Sequence, residues 1–168
     1  MKIIKNMEFI QTRDPNIKKP IIIAAMQDMG NVGSIVINFI NQSLKTESFR
    51  TAKVSFPTYV IDNGGSIDLP NESWDYKFTD DLIIFGGGKG QPQNNNELNL
   101  LCQDVIDVAK KYDIQGIGMY GEINQPELPQ YRAPNSIIKT IEKLTYRKLG
   151  NTEELEMLAQ EMDQKFRN

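Results

Sequence analysis

The chain has 168 residues, of which 39% are hydrophobic and 24% are charged, and its net charge is −3. This is the composition of a globular domain, and the slight acidity argues against nucleic acid or a membrane surface as the main partner. Histidine is absent and Cys102 is the single cysteine. An intrachain disulfide is therefore excluded, we expect no metal site and no cofactor, and the missing histidine weighs against an enzyme without deciding the question.

The first quarter of the chain predicts a strand, a glycine turn and a helix. Residues 2–10 could form an edge strand, and the apolar run Ile21–Met26 is typical of a buried parallel strand. The turn Gln27–Gly33 holds two glycines three residues apart, but neither Gly-x-Gly-x-x-Gly nor Gly-Lys-Ser/Thr is present. The following helix has an apolar stripe made of Val32, Ile35, Val36, Phe39, Ile40 and Leu44.

The next segment predicts two strands and a hairpin. Ala52–Phe56 and Thr58–Asp62 are rich in strand-forming residues, and Pro57 between them indicates a bend or an edge position. Asn63-Gly64-Gly65-Ser66 is a strong turn signal, because Asn-Gly accepts positive φ at little cost. With Ile67–Leu69 as the returning strand, the sequence predicts a β-hairpin over Thr58–Leu69.

Two further strands follow the hairpin. Aromatic residues alternate with polar ones within Asn71–Asp80, which is typical of a short strand with one buried face. The run Asp81–Phe85 predicts a second buried strand, which the glycines Gly86–Gly88 end.

The rest of the chain alternates helices with one more strand. We expect Asn96 to cap a helix that runs to Tyr112, and Gln115–Tyr120 to form a third core strand. The proline-rich segment Gln125–Pro134 predicts a loop. Two helices close the chain, the first over about Asn135–Arg147 and the second from Asn151.

This order of elements predicts an α/β protein. We expect a three-layer α/β/α sandwich whose central sheet is mixed but mainly parallel, with a C-terminal helix pair. The strands at 21–26, 82–86 and 115–120 would be central, and residues 1–168 would form a single domain. No run of about 18 apolar residues is present, and Met1–Thr12 does not resemble a signal peptide, so we expect a cytoplasmic location.

A set of short motifs, in this order along nearly the whole chain, resembles the PAC2 family, which contains the proteasome assembly chaperones and their archaeal and bacterial relatives. The first motif is Met26-x-x-Met29-Gly30-Asn31-Val32-Gly33, after a strand entered by Pro20. The later ones are Phe56-Pro57, Leu69-Pro70, Leu82–Phe85 running into Gly86, Gln91-Pro92, Ile117–Gly121 and Asn151–Leu155.

The resemblance implies a single PAC2-like domain with a phosphorylase-like fold and a non-enzymatic role as an interaction protein. Its implied partners are further copies of itself, in a homo-oligomer, and proteasome α subunits or another ring-forming assembly. One departure concerns the last three residues. Phe166-Arg167-Asn168 stands where such chaperones often have a hydrophobic residue, a tyrosine and any residue, so docking of this tail into proteasome pockets is not expected.

An alternative is a small-ligand protein or enzyme that uses the glycine-rich loops at 28–33 and 86–90. Gly30, Asn31 and Gly33 could hold an anion at a helix N-terminus, and a tight strand-to-helix turn with close packing is the other explanation. Gly86, Gly87, Gly88 and Lys89 could hold an anion beyond the carboxyl end of a strand, and a flexible loop with a solvated lysine is the other explanation.

Aromatic and apolar side chains in two places are candidates for an interface. One set is on the predicted strand at 71–80, and plain core packing is its alternative. The other set is on the last helix, which could cover the sheet or contact another subunit. The candidates are Trp74, Tyr76 and Phe78 in the first set and Leu155, Leu158, Met162 and Phe166 in the second.

Overall fold

The computed structural model of the protein describes residues 7–26, 32–55, 61–62, 64–65, 67–68, 72–88, 92, 94–114, 132–151, 154–155, 157–158 and 160–161. The strands are β1 (Met7–Gln11), β2 (Ile21–Ala24), β3 (Glu47–Val54), β4 (Ile61–Asp62), β5 (Ile67–Asp68), β6 (Ser73–Phe78) and β7 (Leu82–Gly87). The helices are α1 (Val32–Ser43), α2 (Asn95–Lys111) and α3 (Arg132–Thr145), and residues 154–155, 157–158 and 160–161, called here the last helical segment, are also helical.

A five-stranded sheet with the order β1-β3-β6-β7-β2 forms the centre of the described fold. Only β2 and β7 are parallel among its described pairs, and the other three pairs are antiparallel. The protein is therefore α/β with a mixed sheet, but the prediction of a mainly parallel sheet is wrong for the described strands. Residues 79–81 alone join β6 to β7, and so short a link allows only antiparallel pairing.

The described elements group into two compact units. The first unit holds all seven strands and α2. Apolar side chains of the sheet and of the inner face of α2 form its core. The buried apolar residues of this unit are Met7, Ile23, Phe49, Ala52, Val54, Trp74, Tyr76, Leu82, Ile83, Ile84, Phe85, Leu101, Val108 and Tyr112.

The second unit holds α1, α3 and the last helical segment. Its buried apolar residues are Val32, Ile35, Val36, Ile37, Phe39, Ile40, Ile138, Ile141, Leu149, Leu155 and Leu158. Gly150 links the helices at φ 150°, and a Cβ there would lie 2.7 Å from Cζ of Phe39. Glycine is therefore required where the chain passes α1.

Several predicted elements are confirmed with shifted ends. β1 lies at one edge of the described sheet, and β4 pairs with β5 as the predicted hairpin requires. Asn96 as the cap of α2 is wrong, because the Asn94 side chain accepts a 2.8 Å hydrogen bond from the Asn96 amide, which makes Asn94 the cap. The predicted strand Gln115–Tyr120 lies outside the described residues. In the part of the chain that the structure describes, no helix is long and apolar enough to cross a membrane.

Candidate functional site

Close packing explains why the residues at the end of β7 are glycines. β7 and β2 are parallel, so both strands end at the same edge of the sheet, as the ligand hypothesis requires. Gly87 and Gly88 have φ values of 132° and 69°, which disfavour any other residue. A Cβ on Gly88 would lie 2.6 Å from Nε1 of Trp74, and one on Gly87 would lie 2.7 Å from the Ser73 carbonyl oxygen. Close packing on β6 accounts for both glycines without a ligand.

The glycine that opens α1 also has a packing explanation. A Cβ on Gly33 would lie 2.6 Å from the Met26 carbonyl oxygen and 3.0 Å from Cβ of Ala25. This is the tight strand-to-helix turn that the sequence left open as the alternative. Gly30, Asn31 and Lys89 lie outside the described residues, so an anion site at either loop stays a prediction.

The aromatic interface candidates on β6 lie in the core. Trp74 and Tyr76 are 0% exposed, and the half-buried Phe78 packs edge-on against Phe49 with 5.8 Å between ring centroids. β6 lies between β3 and β7, so both of its edges are paired, and its face that carries Trp74 and Tyr76 is buried. This burial favours the core-packing alternative, because neither Trp74 nor Tyr76 can reach a partner from where it lies.

The interface candidates on the last helical segment are only partly within the described residues. Leu155 and Leu158 are buried, whereas Met162 and Phe166 lie outside the described residues. The side that this segment turns outward carries Met157, which is 62% exposed. Among the described residues of this segment, the exposed apolar side chain therefore lies outside the predicted stripe.

A buried polar cluster, which the sequence did not predict, connects α2 to the sheet. Arg50 on β3 donates to Asp104 on α2 from two nitrogens, at 3.1 Å from Nε and 2.5 Å from the terminal nitrogen. The Tyr76 hydroxyl donates to the same carboxylate at 2.8 Å. The Arg50 guanidinium also donates to Gln11 and lies 5.3 Å from the centroid of the Phe9 ring. The carboxylate on α2 thus binds groups from two strands, β3 and β6.

The electrostatics of this cluster follow from its burial. Only 19% of the Arg50 side chain and 8% of the Asp104 side chain are exposed. Burial, and then the charge of Asp104, raises the pKa of Tyr76 well above its ordinary value. The hydrogen bond to Asp104 raises the pKa of Arg50. Because the carboxylate is shared by a cation and a phenol, the cluster is a structural connection rather than an acid–base site.

The signal for this cluster was available in the sequence. Asp104 falls on the inner face of α2 between the buried residues Leu101 and Val108. A carboxylate at such a position needs a buried partner, which predicts a basic or hydroxyl group facing it. Val105, the apolar residue next to Asp104 in the sequence, is only half-buried.

A second polar cluster holds the segment after β1 against the end of α2. The Asp14 carboxylate accepts 2.7 Å hydrogen bonds from Lys111 and from the Tyr112 hydroxyl. The bond from Lys111, followed by that from Tyr112, lowers the pKa of Asp14. Burial, and then the bond to Asp14, raises the pKa of Tyr112. Among the described side chains, no group of three or more Cys, Asp or Glu residues is arranged to hold a metal ion.

Apolar side chains on the surface are the remaining candidates for contact with a partner. Tyr146, just after α3, is 95% exposed and has a φ of 55°. Left-handed backbone is uncommon for an aromatic residue. The exposed large apolar side chains among the described residues are Ile10, Ile106, Leu144, Tyr146 and Met157. The last three lie in the second unit.

Structural comparison identifies proteins with the same fold. No protein-family model and no curated protein matches this chain. PbaA of Pyrococcus furiosus, an archaeal homolog of proteasome-assembly chaperone, matches with a TM-score of 0.66 at 14% identity, over 96% of this chain and 95% of PbaA. Its monoclinic crystal form matches with a TM-score of 0.63 at 16% identity, over 97% of this chain and 91% of PbaA.

PbaB of the same organism, an archaeal proteasome activator, matches with a TM-score of 0.51 at 22% identity, over 73% of this chain and 55% of PbaB. The chain thus spans little more than half of PbaB but nearly all of PbaA. These neighbours confirm, at the level of the fold, the resemblance that the sequence motifs predict.

Proposed function

We propose that this chain is a non-enzymatic interaction protein of the proteasome-assembly-chaperone type. In this proposal it binds proteasome α subunits, or the subunits of another ring-forming assembly, and also associates with copies of itself. The predicted cytoplasmic location, the single domain and the three-layer arrangement of helices and sheet belong to the same proposal.

The match to PbaA along almost its entire length supports this proposal more than any other observation. The alignment covers 96% of this chain and 95% of PbaA, so no large domain of PbaA lacks a counterpart here. At 14% identity the match supports the fold only, and we infer the function from the fold by analogy.

The assembly-chaperone type is favoured over the activator type because this chain matches nearly all of PbaA but only part of PbaB. Only 55% of PbaB is matched, so nearly half of that activator has no equivalent in this chain. An activity that depends on the unmatched part of PbaB therefore cannot be inferred for this chain. The packing of Gly33, Gly87 and Gly88 explains those glycines without a ligand, so they do not favour the ligand-binding alternative.

The two types differ in which form of the proteasome they should bind. We expect an assembly chaperone to bind free α subunits, whereas an activator should bind the finished particle. Native mass spectrometry of the chain mixed with α subunits from its own organism, and separately with the assembled proteasome, distinguishes them. We expect a mixed complex with the α subunits and none with the finished particle.

The control is an equal amount of the assembled proteasome that contains the same α subunits. A complex with the finished particle alone would replace the chaperone proposal with an activator. Absence of any complex, from protein shown to be folded by circular dichroism, would remove the proteasome as the partner and leave only the shared fold.

A further inference from the structure

The outward side of α3 in the second unit is basic around an apolar centre. Lys139 and Lys143 are exposed and lie on one side of the helix, since residues four apart in a helix are neighbours, and the exposed Leu144 directly follows Lys143. Tyr146 and Lys148, just past the end of α3, are exposed as well. We call these five residues the basic strip.

The outward side of the last helical segment is acidic around an apolar centre. Glu154, Met157 and Glu161 are all exposed and are three and four residues apart, so they line one side of a helix. Leu155 and Leu158 face the opposite way and are buried. We call the three exposed residues the acidic strip.

Within the described part of the chain, the charges of both strips, on three lysines and two glutamates, have no salt-bridge partner. The single acid of α3, Glu142, is half-buried, and its carboxylate accepts a 2.8 Å hydrogen bond from the Leu149 amide. It therefore stabilises the link after α3 and does not neutralise the basic strip.

Both strips are supported by packed structure within the second unit. The link between them is fixed at Leu149, which is buried, and at Gly150, which packs against Phe39. The strips are thus presented on helices anchored by core residues, which lowers the entropy lost on binding.

We propose that the basic strip of one copy of this chain binds the acidic strip of a second copy. Opposite charges would face each other around an apolar centre formed by Leu144 and Tyr146 on one copy and Met157 on the other. Such an arrangement of complementary charge excludes wrong registers and places the apolar contacts at the middle of the interface. The proposal deepens the self-association part of the proposed function and rests on it.

This contact is heterologous, because two different surfaces meet. Each copy therefore offers one free strip of each kind, and the copies close into a ring when the rotation between them allows it. The arrangement also gives a specific reason why Met157 is 62% exposed and Tyr146 is 95% exposed in the isolated chain.

Charge reversal tests the contact directly. In native mass spectrometry the wild type should give a multiple of the 19.1 kDa chain. Reversing either strip, by Lys139→Glu with Lys143→Glu or by Glu154→Lys with Glu161→Lys, should weaken self-association by about a hundredfold, because like charges then oppose each other. The quadruple variant exchanges the two signs and should assemble again.

The matched control for the lysine reversal is Lys18→Glu with Lys45→Glu, which changes the net charge by the same amount at two exposed lysines outside the strips. It should keep the mass of the wild type, and circular dichroism should show that every variant is folded. A mixture of the two strip-reversed variants should also assemble, since each then supplies what the other lacks.

A monomeric wild type would overturn the inference, and so would strip-reversed variants that keep the wild-type mass. Neither result would affect binding to α subunits, which the mixing experiment measures separately. If strip reversal abolished α-subunit binding but left self-association unchanged, the strips would belong to the contact with that partner and the inference would be wrong.

Discussion

Gly88 is a glycine because its backbone is left-handed and because Trp74 fills the space where a side chain would go. Gly64 is a natural control, since its φ of 70° is close to the 69° of Gly88 but nothing lies within 4 Å of its missing side chain. Comparing the same substitution at Gly64 and Gly88 therefore separates the free-energy cost of left-handed backbone from the cost of the contact with Trp74.

We predict that Gly64→Ala lowers the free energy of unfolding by about 1 kcal/mol, which is the cost of left-handed backbone. Gly88→Ala should lower it by about 1–3 kcal/mol more, because the indole must move. Urea denaturation of both variants measures the difference. Equal losses would show that Trp74 does not pack on Gly88, and the glycine would again be a candidate for ligand contact.

Because the hydroxyl of Tyr76 is buried, the free energy of unfolding should depend on pH in the alkaline range. Its pKa is raised in the folded chain, so the folded state keeps a proton that the unfolded state loses above about pH 10. The stability due to this group is therefore complete below pH 10 and is lost progressively as the pH rises further.

We predict that Tyr76→Phe makes the free energy of unfolding fall less steeply above pH 10, by up to about 1.4 kcal/mol per pH unit. At neutral pH the same variant should lose about 1 kcal/mol, because the hydrogen bond to Asp104 is removed. Urea titrations from pH 8 to 11 test both. Parallel curves for the two proteins would mean that the Tyr76 hydroxyl is not held as the structure shows.

At the scale of elements, the ion pair between Arg50 and Asp104 fixes α2 on the sheet. Both partners are largely buried, whereas the pair of Lys19 with Asp113 has 76% and 78% of its side chains exposed. Removing one partner of a buried pair leaves an uncompensated charge, but removing one partner of an exposed pair costs little.

We predict that Asp104→Ala lowers the free energy of unfolding by about 3–5 kcal/mol and that Lys19→Ala changes it by less than about 1 kcal/mol. Chemical denaturation of the two variants makes the comparison. A small loss from Asp104→Ala would show that α2 is held by its apolar face alone.

Local patterns predicted some elements well and failed at others for physical reasons. The apolar run at Leu82–Phe85 and the Asn63-Gly64 turn act through neighbouring residues, so β7 and the hairpin could be read from the sequence. The start of β3 could not be predicted from the sequence, because a register shift between Ser48 and Arg50 breaks the alternation of its side chains.

The position of Asp104 on α2 indicates a buried carboxylate, but the sequence could not identify its partner. Asp104 and Arg50 are 54 residues apart, so their contact depends on the packing of α2 against β3. The burial of Trp74 and Tyr76 has the same origin, since alternation marks one face of β6 but does not say what covers it. The motifs in order along the chain predicted the fold that the PbaA comparison confirms.

At the scale of the whole molecule, the fold is shown and the activity is a proposal. The fold is that of PbaA over nearly the full length of both chains. The candidate surfaces for protein contact are the basic and acidic strips of the second unit, since the aromatic residues of β6 are enclosed.

The most direct test of the central claim is the rate at which separated proteasome subunits from the same organism assemble, followed by native gel with and without this chain. We predict faster assembly with the wild type and unchanged peptidase activity of the finished particle. Assembly at the same rate in both reactions, with folded protein present in excess over the α subunits, would contradict the assignment as an assembly chaperone.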